Sequence, residues 1–190
     1  PLRSHRSGYP GMMASAKFKE GFGVLTGMGY GFDALVYHPQ ILELAELVDA
    51  FPNATFILNH IGRPLGIGPY TGLRDEVFEV WKKDMATLAE RPNIVVKIGG
   101  LGNRVSGFDW DTRPFPPSST ELAKTTRPYY LHTIETFGPE RCMFESNFQV
   151  DKNSYSYAVI WNSFKRMTRD FSGAEKALLF HNTAAKSYKL

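Results

Sequence analysis

The feature that most constrains this chain is an alternation. Short apolar runs of β type are each followed by a stretch that is apolar at helical spacing. Residues 32–37 read as a first strand, and Ile41, Leu44, Ala45, Val48 and Phe51 then repeat with helical period. Phe51-Pro52-Asn53 stops that helix, because proline disfavours helical geometry in the residue before it. Residues 55–60 form a second, β-branched and apolar strand, followed by a Gly/Pro loop over 62–72. Val77, Phe78, Trp81, Met85 and Leu88 mark a further amphipathic helix, which Arg91-Pro92-Asn93 ends. Residues 94–98 are the third strand, closed by Gly99-Gly100.

Residues 101–119 are rich in Gly, Pro, Ser and Asp. They are too many for a plain connection and read as an active-site loop or a docking segment. Residues 121–137 read as helix, interrupted or started afresh at Pro128, and residues 141–148 as the fourth strand. Two helices close the chain. One carries Tyr157, Ile160, Phe164 and Met167; the other carries Ala177, Leu178, Ala185 and Tyr188. Ser172 and Glu175, three apart, predict a capping box at its start.

Repeated strand-then-helix units mean a parallel α/β sheet covered by helices. Strands buried on both faces are near-continuously apolar, as the second and third are. Polar residues gather at the C-terminal strand ends, in Tyr37-His38, Asn59-His60 and Glu145-Ser146-Asn147. Ligands bind at that end in barrels and doubly wound sheets alike.

Composition narrows the class. At 43% hydrophobic and 22% charged, the 190-residue chain is neither disordered nor fibrous. No apolar run reaches the ~18 residues of a membrane helix, so no membrane partner is expected. The net charge of +3 comes from scattered residues, and the densest cluster (Lys165, Arg166, Arg169) reads as a solvated helix face, so no nucleic acid is expected either. The single cysteine, Cys142, excludes a disulfide framework and a Cys-rich zinc site. A reducing, cytoplasmic setting is the resulting expectation. Residues 1–17 read as an irregular N-terminal segment, and residues 1–11 carry no apolar signal stretch.

The strand ends hold the candidate chemistry. His60, beside a turn glycine, is placed to ligate a metal or polarise a carbonyl, or to serve as a hydrogen-bonded structural histidine. His38, next to Pro39-Gln40, either faces the same mouth or caps the following helix. Arg63 could pair a substrate carboxylate or make a surface salt bridge. Lys97, set among Val95, Val96 and Ile98, must reach a polar site or pair with an acid. Glu145 and Asn147 share a face of the fourth strand at i and i+2, with Asp151 on the adjoining loop and rim. His132 and His181 fall within helices as packing or surface residues, and the setting of His5 is not legible. Gly66-Ile67-Gly68 and Gly99-Gly100-Leu101-Gly102 lack the spacing of phosphate-binding motifs and read as permissive turns, which argues against a Rossmann-type nucleotide domain. No Gly-x-Ser-x-Gly elbow exists, and Cys142 lies inside a strand, so serine and cysteine hydrolase readings fall away.

Three motifs in order, Asn59-His60-Ile61-Gly62-Arg63-Pro64, Val95-Val96-Lys97-Ile98-Gly99-Gly100 and Arg141-Cys142-Met143-Phe144-Glu145-Ser146-Asn147-Phe148, resemble the amidohydrolase 2 branch of the amidohydrolase superfamily. The resemblance runs from about Phe18 to Tyr188. It implies a (β/α)8 TIM barrel, a metal-dependent hydrolase fold that includes lactonases and some decarboxylases. His60 then matches the mid-barrel histidine that binds metal or substrate carbonyl, and Asn147 stands where the family has the aspartate that serves as general base. Asparagine cannot accept that proton, and the family's opening His-x-His is absent from this sequence.

The resemblance therefore implies only the C-terminal part of a barrel, since a whole one takes about 250 residues. It implies water attack on an ester or lactone carbonyl of a small, carboxylated molecule. One divalent metal ion, zinc or manganese, would polarise the carbonyl; metal-free electrophilic catalysis is the alternative. Glu145 or Asp151 would replace the missing base, or Asn147 would orient water; His38, Gln40, Arg63 and Lys97 would contact the substrate. A decarboxylase on the same fold and a catalytically inactive binding barrel are the rival readings. A partial barrel should expose a strand edge and apolar strand faces, so a homo-oligomer is expected.

Overall fold

The computed structural model describes residues 11–190; His5 lies outside the described residues. Helix α1 spans Ala16–Gly27 and β1 Phe32–Ala34; α2 is Ile41–Ala50 and β2 Phe56–Leu58. Helix α3 is Arg74–Ala89, β3 Ile94–Ile98, α4 Ser119–Phe137 and β4 Cys142–Phe144. The chain continues through α5 (Phe148–Asp151), α6 (Tyr157–Met167) and α7 (Gly173–Ala177). A π-helical turn at Leu178–Asn182 joins α7 to α8, Thr183–Tyr188.

The four strands pair in chain order, and every pairing is parallel. Register puts Asp33, Ile57 and Val95 side by side, with Lys97 opposite Met143 one pleat higher. The other face carries Phe56, Leu58, Ile94, Val96, Ile98 and Cys142, all buried under helices. Phe22 of α1 stacks on Phe56, and Phe164 of α6 stacks on Phe144. Trp81 and Met85 of α3 are wholly buried in the same core.

Three sequence expectations need correction. Residues 11–15 are irregular as expected, but α1 begins at Ala16, with the Ser15 hydroxyl accepting from the Phe18 amide at 3.3 Å. Three glycines (Gly21, Gly23, Gly27) each cost a helix ~1 kcal/mol and hide it from a propensity reading; the Phe22 contacts with Phe32, Phe51 and Phe56 override them. Helix α4 runs unbroken through Pro128. Pro128 and Lys124, whose carbonyl loses its i+4 partner, both lie on the exposed side, where water can satisfy that carbonyl. The fourth strand ends at Phe144, so Glu145 and Asn147 lie beyond it rather than on one strand face. Residues 101–119 carry tight helical turns at Arg104–Ser106 and Trp110–Thr112, and Leu101 and Trp110 are buried.

The second sheet face is also not the bare apolar surface expected of a partial barrel. Ile57 and Met143 are 1% and 2% exposed. The Tyr188 hydroxyl donates to Asp33 at 2.8 Å, and Lys97 Nζ sits 5.2 Å over the Tyr188 ring, so the end of α8 lies against this face. The capping box at Ser172 and Glu175 forms as the sequence predicts. No helix among the described residues is long and apolar enough to cross a membrane.

Candidate active site

The site gathers where β2, β3 and β4 end. After Leu58 the chain makes a left-handed turn: His60, Ile61, Gly62 and Arg63 have φ of 56, 52, 68 and 39°. Left-handed geometry is unfavourable for L-residues and is worst for a β-branched one such as Ile61. The surroundings hold it in place. The Trp81 indole N–H donates to the Ile61 carbonyl at 2.7 Å, and the Arg63 amide donates to the His60 carbonyl at 2.8 Å. One oxygen of Glu145 accepts the His60 backbone N–H at 3.1 Å and also meets His60 Nδ1 in a very short contact. The strain is thus stored at a residue whose ring nitrogen is fixed on a carboxylate, the usual company of backbone strain.

The Gly99-Gly100-Leu101-Gly102 turn does more than permit a bend. A Cβ on Gly100, whose φ is +76°, would lie 2.5 Å from His60 Nδ1. On Gly99 it would lie 2.3 Å from the Glu145 carbonyl oxygen, and on Gly102 2.4 Å from the Tyr155 hydroxyl. Three glycines bring backbone against three members of the cluster, a role the sequence reading missed.

Asn147 sits at φ 44°, a left-handed position that asparagine tolerates better than most residues. Its Nδ2 donates to Asp151 Oδ1 at 2.8 Å. The other Asp151 oxygen accepts from the Gly102 amide at 3.1 Å and the Tyr155 hydroxyl at 2.8 Å. Asp151 is fully buried on α5, not on a loop rim. Burial pushes its pKa up to about 6, although the Tyr155 hydroxyl, the His60 charge, the Gly102 amide and Asn147 all pull the other way. Both of its oxygens accept from protein donors and the residue is wholly buried, so it positions Asn147. Tyr130 is wholly buried nearby; burial first, and then the Asp151 charge, push its hydroxyl pKa well up.

Arg63 is 5% exposed, and its Nε meets no acceptor among the described residues. Burial lowers its pKa, while Tyr37 (through charge and a hydrogen bond), Asp151 and Glu145 hold it up. No carboxylate within salt-bridge reach pairs it among the described residues. A desolvated guanidinium with a spare donor is a ready receptor for an anion.

The remaining candidates lie apart from this cluster. His38 Nδ1 accepts from the Leu65 amide at 3.2 Å, and the His38 amide reaches the Arg63 carbonyl at 3.4 Å. Burial pushes its imidazole down to about 4, so it is neutral and braces the loop that carries Arg63. Gln40 Oε1 accepts from the Tyr37 amide at 3.2 Å, within the turn that starts α2. Lys97 is paired with Asp33 at 2.6 Å on the sheet face below the strand ends. Burial alone would lower its pKa, but the Asp33 and Tyr188 contacts outweigh it and leave the ammonium raised. His132 lies edge-on to Trp81, 5.5 Å away, and His181 is exposed.

The sequence pattern of the amidohydrolases matches residues 3–190. The chain belongs to the amidohydrolase family. It is 38% identical over 181 residues to the y4mH protein of Sinorhizobium fredii, covering 95% of this chain and 54% of that one. It is 27% identical over 176 residues to an L-fucono-1,5-lactonase of Burkholderia multivorans, covering 92% and 56%. A solved amidohydrolase from Burkholderia multivorans with bound zinc superposes with a TM-score of 0.80 at 25% identity, over 95% of this chain and 60% of that one. The chain therefore spans little more than half the length of these relatives, and its four-stranded sheet is part of the family's barrel.

Amidohydrolases commonly carry a metal, so the donors present need testing for one. Among the described residues no group of three or more His, Cys, Asp or Glu stands together as a metal site. His60 Nδ1 is taken by Glu145, and both Asp151 oxygens are taken by protein donors. Zinc sites use three or four protein ligands. The described residues of this amidohydrolase chain do not by themselves make one.

Proposed function

We propose that this chain carries part of the active site of a lactonase-like hydrolase, acting on the ester carbonyl of a small carboxylated lactone. The observation that carries the reading is the His60–Glu145 pair at the strand ends. Glu145 fixes the ring through Nδ1 and leaves Nε2 as the nitrogen without a protein partner among the described residues. Asn147 cannot take a proton, but His60 Nε2 can. It accepts one from the attacking water, and Glu145 stabilises the imidazolium that forms. The proton then passes from Nε2 to the leaving alkoxide as the ring opens. Asn147, held through Nδ2 by Asp151, presents its Oδ1 to orient the water. Arg63, buried and without a carboxylate partner among the described residues, supplies positive charge toward the substrate's carboxylate.

The lactonase names of the relatives from Burkholderia multivorans and Scheffersomyces stipitis support the reaction class. Hydrolysis of a carboxylated lactone such as D-glucaro-1,4-lactone, measured beside the neutral L-fucono-1,5-lactone and followed by acid release, tests it. His60→Ala should lower kcat/KM by roughly 10²–10⁴-fold, the range of a positioned acid–base group. An unchanged kcat/KM would sink the role of His60.

A further inference from the structure

A cavity of about 410 Å³ opens beside the reactive cluster, between the turns after β3 and after β4. It falls within the ~300–1,000 Å³ of small-molecule sites. One wall is Trp110, 3% exposed, stacked on Phe108 at 4.5 Å and edge-on to Tyr155 at 5.9 Å. Phe148 and Tyr155 supply further aromatic surface. Two cations, Arg113 and Lys152, stand at its lining. Arg113 is paired with Glu121, but Lys152 has no carboxylate partner among the described residues. The Trp110 indole N–H likewise meets no protein acceptor there. Tyr155 links the cavity to the chemistry, since its hydroxyl donates to the Asp151 that holds Asn147.

We infer that this cavity is a second binding subsite, for a ring that carries an anionic group. The ring lies against Phe148, the lining aromatic that keeps exposed surface, and the anion meets Lys152. Aromatic faces offer an apolar platform for either a sugar or an aryl ring, while the unpaired ammonium selects the acid over its neutral counterpart. The assignment deepens the hydrolase reading, by giving the part of the substrate remote from the carbonyl a place to sit. It rests on that reading only for which molecule is turned over. Occupancy of the cavity can be measured with no turnover at all.

The test is calorimetric titration of the protein with D-galacturonate, D-galactose and benzoate. The expected result is that at least one acid binds and that neutral galactose binds more weakly. Galacturonate binding without benzoate would assign a sugar acid, and the converse an aryl acid. Lys152→Glu should weaken the acid by roughly tenfold or more, as loss of a charged hydrogen bond does, and Lys152→Arg should restore it. His60→Ala should leave this binding unchanged, which separates the subsite from the reaction centre. The inference is overturned if neither acid binds, if galactose binds as well as galacturonate and benzoate, or if Lys152→Glu binds like wild type. It is also overturned if His60→Ala abolishes binding. Loss of lactone hydrolysis in every preparation, with acid binding intact, would overturn the hydrolase reading and leave the subsite standing.

Discussion

Replacing Gly100 with alanine tests whether the glycine turn governs the reactivity of His60. Two costs arise. The first is backbone strain: an L-residue at φ +76° costs about 1–2 kcal/mol. The second is steric. The new Cβ would stand 2.5 Å from His60 Nδ1 and 2.6 Å from Cγ. The ring must move by about 1 Å to reach ordinary contact, at a cost of about 1–3 kcal/mol for overpacking. It cannot move without stretching its contact with Glu145. Gly29 separates the two costs, because it has nearly the same φ, +75°, and nothing within 4 Å of an added Cβ.

Both variants should therefore lose the strain term in urea unfolding, and Gly100→Ala should lose about 1–3 kcal/mol more. Lactone hydrolysis should fall about 10²-fold in Gly100→Ala, the effect of a misplacement of about 1 Å, and stay level in Gly29→Ala. Equal stability losses in the two variants with full activity in Gly100→Ala would refute the argument.

Other outcomes follow from buried groups. Asp151, raised by burial to about 6 from 3.8, keeps its proton longer in the folded state, so its contribution to stability falls as pH rises from about 4 to 6. His38, lowered by burial to about 4 from 6.5, does the reverse, and its contribution rises over nearly the same window. Each amounts to about 3 kcal/mol, so the two nearly cancel in the wild type. Urea unfolding between these pH values should show stability rising with pH in Asp151→Asn and falling in His38→Phe; slopes of one sign would contradict this. Arg63→Gln should raise KM for a carboxylated lactone by roughly tenfold to a hundredfold and leave a neutral lactone little affected, as steady-state kinetics would show. Cys142 is wholly buried with its thiol pKa pushed up by burial, so an aromatic disulfide reagent should label it only as the protein unfolds.

The parallel sheet was legible because its period and its punctuation agree. Ile94–Ile98 matches the sequence reading to the residue, since the apolar run is bounded by Asn93 and Gly99. The other strands are shorter than their apolar runs, because pairing stops where the chain turns toward the site. His60, Glu145, Asn147 and Asp151 were visible as polar residues at strand ends, and the fold brings all four together. Lys97 looked the same in sequence, yet it points to the level of Asp33, because one pleat of register separates the sheet face from its mouth. Tyr130 could not be read, since its approach to Asp151 depends on how α4 packs, whereas Tyr155 lies four residues past Asp151 and that spacing was the signal passed over. The glycines were noticed but not understood. What they make room for lies in the turns after other strands, and a single stretch of sequence carries no record of it.

The Tyr188–Asp33 hydrogen bond joins residues 155 positions apart. Among the described residues strand β1 has three residues and pairs with β2 alone. Closing so long a loop is entropically late, and the contact should form after the local strand–helix units have condensed. It also makes two distant stretches one opening unit. Amide hydrogen exchange at Phe32–Ala34 should then follow that of α8, rising and falling with it when either is perturbed, while β3 at the sheet centre exchanges only through complete unfolding.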